Sequence, residues 1–171
     1  MASFLSRLIR HRLLDERDAE HAIGNDGKAH IAARVAASEA RHSGQIRVCI
    51  EAGLPFSYLR RGASARERAV AMFGKLRVWD TEHNNGVLIY VLLAEHAIEI
   101  VADRGIDQRV DAAAWAAIAA QMKAPFQGGD FAAGLDRAIE AVDALLVRHF
   151  PRTNGIGAAY SNELPDAPDV R

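Results

Sequence analysis

The residues best suited to chemistry sit in two polar turns. One reads His83-Asn84-Asn85-Gly86; the other reads Asp103-Arg104-Gly105, with Asp107 a few positions on. Carboxylate, amide and main-chain oxygens gathered in one place coordinate hard cations such as Ca2+ and Mg2+. Asp103 would be the leading anionic ligand, with Asn84 and Asn85 offering side-chain carbonyls and Asp107 close by in sequence. His83 and Arg104 are the other polar groups of these turns, and a guanidinium there would take an anion instead. The same residues carry a second reading as turn formers. Asn and Asp bond nearby backbone groups, and Gly accepts a positive φ. On that reading Gly86 and Gly105 are structural, and so is Asp130 as the N-cap of the last helix.

Other catalytic chemistry finds little support. The chain has no CxxC or HExxH spacing, no nucleophile elbow, no P-loop and no GxGxxG. Cys49 falls in an expected strand as a buried, inert thiol, and a lone cysteine excludes an intrachain disulfide. His21, His30, His42, His96 and His149 show no mutual spacing that makes a site. Arg60, Arg61, Arg66 and Arg68 form a small basic cluster that reads as a solvated helix entrance, with anion docking as the alternative. Trp115 belongs to an apolar stripe that reads as core. Lacking an acid–base or nucleophile constellation, the chain is expected to be a non-catalytic interaction or scaffolding module. The alternative is a weak divalent-metal-dependent phosphatase, with a cation held by Asp103, Asn84 and Asn85 polarising a phosphoryl oxygen.

The elements that must position the two turns can be read from periodicity. Residues 45–51 alternate, with Ile46, Val48 and Ile50 on one face, and form a strand. Residues 87–93, VLIYVLL, form an unbroken apolar run suited to a central strand buried on both faces. A short turn at 94–96 leads into a third strand, 97–102. The helix between the first two strands, 64–78, opens on a Ser64/Glu67 capping box. These pieces make a parallel crossover unit and an antiparallel hairpin. The hairpin brings the start of the second strand beside the end of the third, which sets the two polar turns side by side. Further helices are expected at 2–23 with a break near Leu14 and Asp15, at 27–42, 111–123 and 131–149, with residues such as Asn25 marking turns. The expected fold class is α/β: a small mixed sheet with helices on both faces.

Composition bounds the rest. With 171 residues, half of them apolar, the chain suits one domain, expected over 27–151, with a helical extension at 1–26 and a mobile or surface-draped tail at 152–171. The net charge of −1, from 21 basic and 22 acidic residues, gives no pull toward nucleic acid. Arg7, Arg10 and Arg12 interrupt the apolar residues of 1–14, so neither a signal peptide nor a membrane span is expected, and the location expected is cytoplasmic. That segment reads either as a helix docked on the domain or as a basic amphipathic helix that meets a protein partner or a membrane surface.

Several stretches together resemble the TPM domain family, in its free-standing bacterial form. They are NNGVLIYVLLAEHAIEIVADRGI at 84–106, SGQIRV at 43–48, FQGGDFAAGLDRAI at 126–139, HFP at 149–151 and NELPD at 162–166. The resemblance covers roughly 28–151 with NELPD beyond. It implies a Rossmann-like three-layer α/β/α sandwich. It also implies the calcium binding linked to some relatives and the acid phosphatase activity credited to plant thylakoid-lumen relatives. Two positions depart from the family pattern: Asn84 stands where the metal-site version has an acidic residue, and Gln45 where a glutamate is common. Losing a carboxylate at an oxygen-ligand site weakens calcium binding.

Overall fold

The computed structural model describes residues 4–24, 26–152 and 162–171. Helices α1 (Phe4–Arg12), α2 (Glu16–Ala22) and α3 (Gly27–Glu39) precede strand β1 (Gln45–Glu51). Helices α4 (Phe56–Arg60) and α5 (Ala65–Lys75) lead to β2 (Gly86–Leu92) and β3 (Ala97–Ala102). Helices α6 (Arg104–Asp107), α7 (Ala112–Gln127) and α8 (Phe131–His149) follow, and a short β4 (Asp169–Val170) comes last. The expected helix start at residue 2, the turn residue Asn25 and the tail residues 153–161 lie outside the described residues.

The sheet has the order β3-β2-β1-β4. Strands β1 and β2 run parallel, in register from Gln45 opposite Gly86 to Glu51 opposite Leu92. Strands β2 and β3 run antiparallel, from Val87 opposite Ala102 to Leu92 opposite Ala97. A single 3-10 turn at Leu93–Glu95 reverses the chain, closed by His96 at a φ of 47°. Ile46, Val48, Ile50, Val87, Ile89 and Val91 pack on one side against residues of α2, α3, α7 and α8. Cys49, Leu88, Tyr90 and Leu92 pack on the other against α4, α5 and part of α1. That is the expected three-layer arrangement, and both central strands are buried on both faces because helices cover both.

The expected break near Leu14 and Asp15 is present, and the end of α7 differs from the one expected. The break after α1 is sharp because Asp15 caps α2 in a reciprocal box, its carboxylate accepting from Arg17 N and Asp18 N while Asp18 accepts from Asp15 N. Helix α7 runs through Pro125 to Gln127 rather than ending at 123. Its continuation ends at Gly129, where φ is 79°, and the Asp130 amide donates back to Pro125 O.

Of the two forms expected for the tail, the described part takes the one laid on the domain. Residues 162–171 are held there by side chains of β1 and by strand pairing. Gln45 Oε1 accepts from Glu163 N at 2.9 Å and Leu164 N at 3.0 Å. Arg47 donates to Pro165 O at 2.8 Å, Leu164 is buried, and β4 adds a parallel fourth strand to β1.

Candidate cation site at the paired turns

Hairpin register alone sets Val87 opposite Ala102, and backbone hydrogen bonds lock the turns beyond them. Asp103 N donates to Gly86 O at 2.8 Å, and Gly105 N donates to Asn84 O at 2.8 Å. The approach is so close that a Cβ on Gly105 would lie 2.6 Å from both Asn84 O and His83 O. A Cβ on Gly86 would lie 2.0 Å from Val78 O. Both glycines are therefore required by space.

Asn84 takes the left-handed region at a φ of 50°, a conformation that Asn tolerates better than most residues. Its neighbour Asn85 is buried. The Asn85 amide donates to Thr81 Oγ1 at 3.1 Å and its Nδ2 lies 3.4 Å from Ser43 Oγ, but Oδ1 has no hydrogen-bond donor. Asp103 is buried too and caps α6: Oδ1 accepts from Arg104 N at 2.7 Å, while Oδ2 has no partner. Two buried oxygen acceptors, one of them on a carboxylate, are thus left without a donor. A buried polar group in that condition costs roughly 1–3 kcal/mol. Oxygens in need of a partner are what a hard cation takes.

The other candidates are placed differently. Asp107 is exposed one helical turn beyond Asp103 and lines a cleft of about 500 Å³ with Arg66, Glu99 and Trp115. Burial raises the carboxyl pKa of Glu99, against the lowering effect of Arg66. The Arg104 and His83 side chains are exposed, and His83 Nδ1 lies 3.9 Å from Glu82. Asp130 caps α8 by accepting from Ala133 N at 3.1 Å. No cluster of three or more His, Cys, Asp or Glu residues fit to hold a metal occurs among the described residues. A cation here would rest on one carboxylate, an amide oxygen and main-chain carbonyls. Gln45, in the place where a glutamate is common, spends its oxygen on the tail.

Three buried polar clusters escaped sequence reasoning because their members lie far apart in the chain. His11 Nδ1 accepts from Leu54 N at 2.9 Å, while its Nε2 and the Arg7 guanidinium meet Glu95 at 3.0 and 2.7 Å. Burial lowers the pKa of His11, partly offset by Glu95. Ser38 Oγ lies 2.9 Å from His42 Nε2 and 2.8 Å from Asp143 Oδ1, and His42 Nδ1 lies 3.1 Å from Gly44 O. Burial pushes the His42 pKa down to about 4, against the raising effect of Asp143. Arg68 makes a bidentate pair with Glu51, at 2.6 and 2.9 Å, and Tyr90 donates to the same carboxylate at 2.7 Å. Desolvation raises the Tyr90 and Cys49 pKa values, the latter to about 12, so the Cys49 thiol stays protonated and inert. The one signal within reach of sequence was the i, i+4 spacing of Arg7 with His11 and of Ser38 with His42.

An open mixed sheet between helical layers, with two polar turns locked at one margin, defines the class. The TPM domain profile matches residues 17–145, and the chain belongs to that family. Its fold is similar to that of the BA42 protein from the psychrophilic bacterium Bizionia argentinensis, at 27% identity and a TM-score of 0.70, covering 83% of this chain and 90% of that one. It is also similar to the N-terminal domain of a protein from P. gingivalis, at 15% identity and a TM-score of 0.60, covering 82% and 95%. No curated protein matches the chain in sequence.

Proposed function

We propose that this protein is a non-catalytic interaction module that takes a divalent cation, calcium before magnesium, between its paired turns. The observation that carries the cation is the pair of buried acceptors without donors, Asn85 Oδ1 and Asp103 Oδ2. Calcium is favoured because it accepts irregular sets of carbonyl and carboxylate oxygens, whereas magnesium demands near-ideal octahedral geometry. With a single buried carboxylate the site is weak, with a dissociation constant on the order of 10⁻⁴–10⁻³ M. The non-catalytic reading rests on the polar clusters elsewhere. Ser38, His42 and Asp143 are buried, and the Ser38 hydroxyl donates to Asp143. Glu51 is held by Arg68 and Tyr90.

Millimolar calcium is expected to raise the melting temperature of the wild type and leave that of Asp103→Ala unmoved, because a ligand stabilises only the state that binds it. An equal shift in both would remove Asp103 from the site.

A second reading, a weak divalent-metal-dependent phosphatase, is favoured by the cleft beside Asp107, which is large enough for a phosphate ester. There the cation would polarise a phosphoryl oxygen. Turnover of a generic phosphate ester, measured with and without calcium or magnesium, separates the two. The module reading expects none; cation-dependent turnover that Asp103→Ala abolishes would replace it with the phosphatase.

A further inference from the structure

Helix α1 is amphipathic, and it docks with its Arg7 and His11 side inward. The side turned to the domain carries Arg7 and His11, bound to Glu95, Ala63 O and Leu54 N, with Leu8 packed beside them. The i, i+4, i+8 series Leu5, Ile9 and Leu13 faces outward, at 61%, 50% and 76% exposure. Phe4 at 52% adjoins it in sequence, and Phe56 at 53% opens α4, the helix on which α1 packs. Four of the seven large apolar side chains that are exposed among the described residues therefore belong to these two helices, and a fifth, Leu13, directly follows α1. Arg10, Arg12 and Arg60 are exposed on the same two helices and make no ion pair or side-chain hydrogen bond among the described residues. Helix α1, FLSRLIRHR, contains no acidic residue.

We infer that this ridge is the docking face of the module and that its occupant is an anionic membrane surface. The inference rests on the interaction reading above and names the partner. Contiguous apolar side chains of this size rarely face water without a reason. Leucines, isoleucine and phenylalanine bordered by unpaired arginines match the two parts of a lipid interface: acyl chains for the ridge, anionic headgroups for the guanidinium groups. A second copy of the chain is the poorer occupant, because pairing two such faces would set arginines against arginines with no acid on α1 to answer them. The helix lies in the interface, since no helix among the described residues is long and apolar enough to cross a membrane.

The test is sedimentation with phosphatidylcholine vesicles, pure or containing roughly a third phosphatidylserine, in chelator so that the paired turns take no part. Deleting the helix would also remove Arg7 and His11 from Glu95 and Leu54, so point variants are the better tool. The double variants Leu5→Glu with Ile9→Glu, and Arg10→Glu with Arg12→Glu, alter exposed side chains, and circular dichroism verifies their fold. The full chain is expected to bind the anionic vesicles and not the neutral ones, and each double variant to lose about tenfold in partitioning. Absence of vesicle binding, unchanged binding by the Leu5/Ile9 variant, or a wild-type dimer that this variant dissolves would overturn the inference. The ester assay and the calcium shift read other residues, so the module reading fails or stands separately.

Discussion

At the scale of single residues, the structure carries several polar groups whose burial is tolerable only in one protonation state. His42 is the clearest. Unfolded, its imidazole takes up a proton near pH 6.5; folded, it resists until about pH 4. The unfolded chain thus binds more protons through that window, and stability falls as the pH drops from 6.5 toward 4. His11, also depressed by burial, adds a contribution of the same sign. The His42 contribution is roughly 3 kcal/mol at the acid end. Urea unfolding across the window is expected to show His42→Gln losing much less stability than the wild type; parallel losses would mean that His42 does not titrate in this way. None of this was legible in the chain, because desolvation of His42 comes from α8 and the bridge to Pro151, both distant in sequence.

At the scale of elements, the hairpin is what sets two ordinary turns side by side. Its strands, its short reversal and the adjacency of Asn84-Asn85-Gly86 with Asp103-Arg104-Gly105 followed from the alternation of 97–102, the apolar run of 87–93 and the polar punctuation between them. Which oxygens would be left over did not follow. That depends on the Asn85 amide going to Thr81 Oγ1 and the Arg104 amide to Asp103 Oδ1, which leaves the other side-chain oxygens without donors. Because the two turns touch through Gly105, Gly105→Ala is expected to push them apart at a cost of about 2–4 kcal/mol, seen as a lowered melting temperature. Calcium response should be lost with it. A variant with wild-type melting and calcium response would show that the close approach can relax freely. The face that α1 turns to solvent was equally hidden. Periodicity separates apolar residues from arginines, but only the partners Glu95 and Leu54 decide which side is inward.

At the scale of the whole molecule, the sheet is finished by the last residues of the chain. Composition predicted a mobile or surface-draped tail there, since Pro165 and Pro168 and few apolar residues give no period to read. What composition missed is a single buried anchor, Leu164, together with Gln45 and Arg47 offering side chains to the strap backbone. Leu164→Ala is expected to cost about 2–3 kcal/mol in urea unfolding. It should also speed hydrogen exchange at the Ala52 amide, which donates to Arg171 O at 2.8 Å. Unchanged exchange there would mean that β4 holds without its anchor. The same segment also ties the margin of the paired turns to the rest of the fold, with Glu163 accepting from Glu82 N at 2.8 Å just ahead of His83 and Asn84. The claim on which this functional account turns is that Asn85 Oδ1 and Asp103 Oδ2 await a cation. Isothermal calorimetry of calcium into the purified protein measures that directly. One site per chain is predicted, with a dissociation constant on the order of 10⁻⁴–10⁻³ M and no binding heat in Asp103→Ala. Absence of heat from the wild type, or equal binding by Asp103→Ala, would contradict it.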